Sequence, residues 1–146
     1  MDRPPLGLQL SRTARSISAD FDRVLVEAGG SAPVWQVLLL IRSRQWGQQS
    51  EMARAMGVTG ATLTHHLNAL ERQGLVRRWR EEANRRVQRV ELTDAGVALF
   101  HRLRTVAMRH DRRLRSHLSA EEAAQLGELL EKLRAGVEEG AATPAG

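Results

Sequence analysis

Apolar residues recur along this chain mostly at helical spacing, with one interruption where they alternate instead. The first stripe, Leu10, Ala14, Ile17, Phe21, Val24, Leu25 and Ala28, advances by threes and fours and stops at Gly29 and Gly30, the pattern of an amphipathic helix with one buried side. A second helix is expected over about 32–43, where "VLLLI" makes the segment apolar nearly all round and marks it as the buried centre of the domain. A short helix follows from Gln49 to Met56 and ends at Gly57, which accepts the left-handed conformation of a sharp stop. Thr59 then supplies a side-chain cap for a helix running to about Gln73, which Gly74 ends. Two β-prone runs, 75–80 and 87–92, flank the polar "EEANRR" and read as a hairpin. Beyond it, Thr93 opens a long helix to about His117, and Ser119 with Glu122 forms a capping box for a last helix to about Glu138. The tail from 140 to 146, "GAATPAG", is expected to be disordered. The fold class is therefore mainly α with one small β-hairpin.

The helix after Thr59 has two unlike faces. Leu63, Leu67 and Leu70 fall together, with His66 beside them, and should pack inward. Ala61, His65, Asn68 and Arg72 occupy the opposite face, with Thr62 and Thr64 on its flanks. Small, hydrogen-bonding side chains on an exposed face suit insertion into a DNA major groove, where bulk would hold the backbone away from the base edges. An ordinary solvated helix face is an equal alternative on these residues alone. The hairpin shifts the balance. Arg77, Arg78, Arg80, Arg85, Arg86 and Arg89 lie in and between its strands, and Arg72 just upstream joins the cluster. A protruding ribbon so charged repels itself unless it meets an anion. DNA phosphates, or the negative potential of a narrow minor groove, are the natural partners of Arg85 and Arg86 near the tip. An acidic protein surface is the less favoured partner.

Composition narrows the reading. The net charge of +5 is carried mostly by arginine, which suits planar recognition of phosphate and guanine. The absence of cysteine excludes disulfides, cysteine-ligated zinc and thiol-based sensing. At 146 residues the chain is expected to be one domain. No apolar run approaches a membrane span and the N-terminus lacks a signal pattern, so a cytoplasmic protein is expected. An enzyme is not expected, since no glycine-rich phosphate loop, nucleophile elbow or paired acid arrangement occurs. Neither a cofactor nor a metal site is expected. His65 and His66 project about 100° apart on one helix and cannot share an ion. A metal-responsive regulator, with His110 and His117 joined by ligands from a second chain, stays as a minor alternative.

From about Ser31 to Gly96, the pieces "APVWQVLLLI", "SEMARAMGV", "TGATLTHHLNALERQGLVRR" and "ANRRVQRVELTDAG" occur in an order that resembles the MarR family of bacterial transcriptional regulators. The resemblance implies a winged helix-turn-helix core over 31–96, with dimerisation helices over 8–30 and 97–139. It further implies a homodimer on double-stranded DNA, in which the terminal helices of two copies interleave. The binding residues it implies are Thr59, Ala61, Thr62, Thr64, His65, Asn68, Arg72, Arg78, Arg85 and Arg86. At the wing the family usually shows Asp-Arg-Arg, whereas Asn84 precedes Arg85 and Arg86 here. That substitution removes a charge that helps to hold a wing arginine and predicts a looser wing tip.

Many such regulators release DNA when a small aromatic acid enters a cleft beside the dimerisation helices. The residues of this chain that would serve are Trp35 and His66 as walls, with Arg12 or Arg15 as the cation. Each has a plainer alternative: Trp35 and His66 as core, and the two arginines as solvated surface. The favoured function is a repressor of a pseudo-palindromic operator released by such an effector. An architectural protein that coats DNA with little sequence preference is the competing function.

Overall fold

The computed structural model describes residues 3–43, 49–86 and 88–143. Six helices and one hairpin follow in order: α1 Leu6–Glu27, α2 Ala32–Ser43, α3 Gln49–Met56, α4 Gly60–Arg72, β1 Val76–Arg80, β2 Gln88–Leu92, α5 Asp94–Arg115 and α6 Ala120–Ala142. The chain divides into two compact units, Met1–Ala107 and Met108–Gly146, with the division inside α5. No single helix among the described residues is long and apolar enough to cross a membrane.

The first unit is built round α2, which packs against α1, α3, α4 and β2. Val37, Leu38 and Ile41 supply its buried face, although Leu39 is 40% exposed, so α2 is central without being enclosed on every side. Around it close Leu25 of α1, Met52 and Ala53 of α3, Leu63, Leu67 and Leu70 of α4, Val76 of β1, and Leu99, Phe100 and Leu103 of α5. The leucine triplet of α4 is the buried face that the spacing predicted, and each fully buried leucine contributes about 1.5–3 kcal/mol. Trp35 and the Phe100 ring stack at 5.6 Å with 15° between planes, and the Arg42 guanidinium lies over the Phe100 ring, 5.9 Å from its centroid.

The joint between reading helix and long helix is made by backbone. Gly74 takes φ +72°, which turns the chain out of α4 into β1. Thr93 then binds this turn twice: its N–H donates to the Leu75 carbonyl at 3.1 Å and its hydroxyl to the Gly74 carbonyl at 2.6 Å. The same hydroxyl oxygen accepts from the Gly96 N–H at 3.1 Å and so caps α5. Gly96 sits so close to the seam that a Cβ there would lie 2.0 Å from the Leu75 carbonyl oxygen. Only glycine permits that approach.

In the second unit, α6 begins as its sequence predicts. Ser119 and Glu122 form the full capping box, with Glu122 Oε1 accepting from the Ser119 N–H at 2.9 Å and Ser119 Oγ from the Glu122 N–H at 3.1 Å. Those bonds hold the Glu122 carboxyl below the ordinary glutamate range, the backbone N–H of Ser119 contributing most. The helix runs past the expected end near Glu138, through Gly140 to Ala142, so that part of the expected disordered tail is helical. Two alanines favour continuation, and the helix stops at Thr143, whose ψ of 110° is the extended conformation demanded of a residue before proline. Residues 144–146 lie outside the described residues.

Candidate nucleic-acid interface

The interface begins at the turn between α3 and α4. Thr59 caps α4, its Oγ1 accepting from the Thr62 N–H at 3.1 Å and its hydroxyl donating to Thr62 Oγ1 at 2.9 Å. From that cap, Ala61, Thr62, Thr64, His65, Asn68 and Arg72 all lie on the exposed side of α4, as the wheel predicted. His66 is half-buried beside the leucines, its ring 6.0 Å from that of His65. The Gln49 side-chain amide at the start of α3 donates to Thr64 Oγ1 at 3.3 Å and ties the first helix of the motif to the second. No sequence signal singled out Gln49, because its partner is fifteen residues away across a turn.

The hairpin pairs antiparallel from Val76 opposite Leu92 to Arg80 opposite Gln88. Its arginines divide into two groups. Arg77 pairs with Glu91 at 2.5 Å and lies over the Trp79 ring at 4.5 Å, while Arg89 pairs with Glu81 at 2.6 Å. Arg80 reaches across the tip and donates to the Arg85 carbonyl at 2.8 Å. Among the described residues, the side chains of Arg72, Arg85 and Arg86 make no hydrogen bond or ion pair, and all three are exposed. They are the cations left over for a ligand. Glu91 and Glu81 each neutralise one arginine of what the sequence presents as a single block of charge.

Arg78, expected among the DNA-binding residues, belongs with the paired group. Its side chain is 13% exposed, with Nε 3.3 Å from Glu71 Oε2 and Nη2 bonded to the Asn68 carbonyl oxygen. The pairing holds the Glu71 carboxyl below its ordinary range, the Arg78 hydrogen bond being the main cause. At the wing tip the turn is closed by a hydrogen bond on either side. Asn84 Oδ1 accepts from the Arg86 N–H at 3.2 Å, an Asx turn that needs no charge, and the Arg80 brace closes the other side.

The four residues expected to line an effector cleft do not meet. Trp35 is occupied with Phe100, and Arg15 donates to Ser11 Oγ at 2.8 Å on the exposed side of α1, where Arg12 also lies. Among the described residues, no hydrogen bond, ion pair or ring contact joins either arginine to Trp35 or His66. The described residues also contain no group of three His, Asp or Glu side chains placed to hold a metal.

With this geometry in place, comparison with known proteins is direct. The sequence model of the MarR family matches residues 31–87. The HTH-type transcriptional regulator PecS of Dickeya dadantii (strain 3937) is 31% identical over 139 residues, covering 88% of this chain and 84% of PecS. Among solved structures, the transcriptional repressor CouR bound to a 23-mer DNA duplex superposes with a TM-score of 0.80 at 30% identity, over 89% of this chain and 92% of CouR. A cysteine-to-serine mutant of MarR from E. coli, complexed with operator DNA, gives 0.79 at 25% identity over 88% and 93%. An exposed reading helix, a hairpin wing with unpaired arginines at its tip and these likenesses lead to one conclusion: the chain belongs to the MarR family, as a winged-helix transcriptional regulator that binds DNA and not an enzyme.

Proposed function

We propose that the protein is a homodimeric cytoplasmic repressor of a pseudo-palindromic operator, with α4 in the major groove and the wing tip on the flanking backbone or minor groove. The observation that carries this reading is the split among the arginines: Arg72, Arg85 and Arg86 are left unpaired beside an α4 face of hydroxyls, imidazole and amide. Phosphate contacts from the wing supply affinity, and base contacts from Thr62, Thr64, His65 and Asn68 supply sequence preference. CouR, a repressor captured on a DNA duplex, supports repression as the sense of regulation.

A dimer is supported by apolar surface that the isolated chain leaves open. Leu6 is 60% exposed on α1, and Leu126, Leu129, Leu130 and Leu133 are 41–49% exposed on α6. Twofold symmetry then places two reading helices on half-sites about one helical turn apart, roughly 10 base pairs. For the effector, the proposed residues remain Arg12 or Arg15 with Trp35 and His66, which a single chain does not assemble into one cleft. A small aromatic acid that weakens DNA binding a hundredfold needs about 2.7 kcal/mol of preference for the released state.

Selection of bound duplexes from a randomised library, followed by titration at two salt concentrations, tests the reading. One enriched pseudo-palindrome bound by a dimer is the expected result. Equal recovery of all sequences with a steep salt slope would instead establish a DNA-coating protein.

A further inference from the structure

We infer that Arg78 is a positioning residue that fixes which way round the Asn68 amide faces DNA, and that Asn68 therefore reads a hydrogen-bond acceptor, guanine before thymine, and not adenine. The inference rests on the sequence-specific reading proposed above.

A guanidinium has five N–H groups and accepts nothing. Whatever bonds to Arg78 must present an oxygen, so the Asn68 side chain is obliged to turn its carbonyl toward Arg78 and its NH2 outward. Arg78 is itself held from behind by Glu71, through Nε at 3.3 Å and Nη2 at 3.4 Å, and is mostly buried. The amide orientation is thus set by a chain of charge-assisted contacts, Glu71 to Arg78 to Asn68. A free asparagine reads adenine by donating to N7 and accepting from N6 at once. An amide oxygen has two lone pairs, but with one engaged and the carbonyl turned toward Arg78, it is the NH2 that leads into the groove. The edge that fits it best is one of acceptors alone: O6 and N7 of guanine, or O4 of thymine.

Two neighbours point the same way. Thr62 Oγ1 accepts from the Thr59 hydroxyl and Thr64 Oγ1 from the Gln49 amide, so each has a lone pair engaged within the protein and its own proton left to give. The exposed face of α4 is biased toward donation at three positions.

The test uses the full-length protein and a randomised duplex library, with affinities then measured on operators carrying each of the four bases at each position. The position whose base preference collapses in Asn68→Ala identifies the base that Asn68 faces. In the unmodified protein we expect guanine there, with adenine bound at least fivefold more weakly. In Arg78→Met the amide is released to turn, and adenine should rise to match or exceed guanine while preferences elsewhere in the site hold. A role confined to stability would lower affinity for all four bases alike. Should Arg78→Met not fold, Asn68→Asp decides: the carboxylate keeps the bond to Arg78 but presents an acceptor, and preference should move from guanine to cytosine, whose N4 donates. Adenine at the Asn68-dependent position, no Asn68-dependent position in an enriched operator, or an unchanged base profile in the informative variant would each overturn the assignment. If no sequence is enriched at all, the sequence-specific reading falls and this inference with it.

Discussion

The leucines of α4, in one unit of the chain, and those of α6, in the other, are handled in opposite ways. In Met1–Ala107 the leucines of α4 and their partners from α1, α2, α3, β1 and α5 are closed into one core. In Met108–Gly146 the leucines of α6 run along the helix with no comparable burial, and Val137 is 74% exposed. Hydrophobic periodicity alone does not distinguish the cases, since both helices carry leucines at spacings of three and four. The difference teaches that a stripe states a demand for burial without saying which surface meets it. For α4 the same chain meets the demand; for α6, as for the exposed Leu6 of α1, the proposed answer is another copy.

The comparison breaks most sharply under core truncation. Leu67→Ala should destabilise the protein by about 2–5 kcal/mol, read as a lower urea midpoint with little change in slope, because Leu67 is wholly buried. Replacing Leu126 and Leu130 together by Asp should act on assembly. Sedimentation equilibrium is expected to show dimer dissociation at least a hundredfold easier, about 2.7 kcal/mol, with the α4 core intact. A double mutant that remains dimeric at micromolar concentration would place the interface elsewhere. The charged wing gives a smaller, graded effect: Arg85→Ala and Arg86→Ala should weaken binding to operator and random DNA together, each lowering the salt slope by about one. Arg77→Ala, which removes a cation already matched by Glu91, should change that slope less.

The smallest expected effect is at the start of α6. Ser119→Ala removes one half of the capping box and should cost about 1 kcal/mol of local helix stability, visible as faster amide exchange in the first turn. The Glu122 half is pH-dependent. Because its carboxyl titrates below the ordinary glutamate range when folded, its stabilisation is complete above that range and is lost as pH falls through the lowered folded value. Glu122→Gln keeps the cap geometry and should remove this acid-side loss, so a pH titration of first-turn exchange that is identical in both proteins would contradict the assignment.

Much of the fold was legible because its signals are local. Thr59 capping α4, Gly74 ending it, Ser119 with Glu122 and the alternation of the hairpin all act over four residues or fewer. What the sequence concealed was which charge meets which. Arg78 is ten residues from Asn68 and seven from Glu71, and only the return of β1 beside α4 brings them together. Arg77 and Arg78 are adjacent and alike in sequence, yet strand alternation sends one toward Glu91 and Trp79 and the other toward α4. At the wing tip, where an aspartate is missing, the neutral Asn84 carbonyl accepts from the Arg86 N–H, a contact spanning two residues.

The seam at Gly74, Leu75, Thr93 and Gly96 has a mechanical consequence. Two hydrogen bonds fasten Thr93 to the turn that leaves α4, and the space opposite Gly96 is too small for even a methyl group. Such a joint has no slack. Tilting α4 must carry the first turn of α5 with it or break both bonds, so the two helix ends behave as one welded corner and the angle at which the reading helix is presented cannot be adjusted at one end alone.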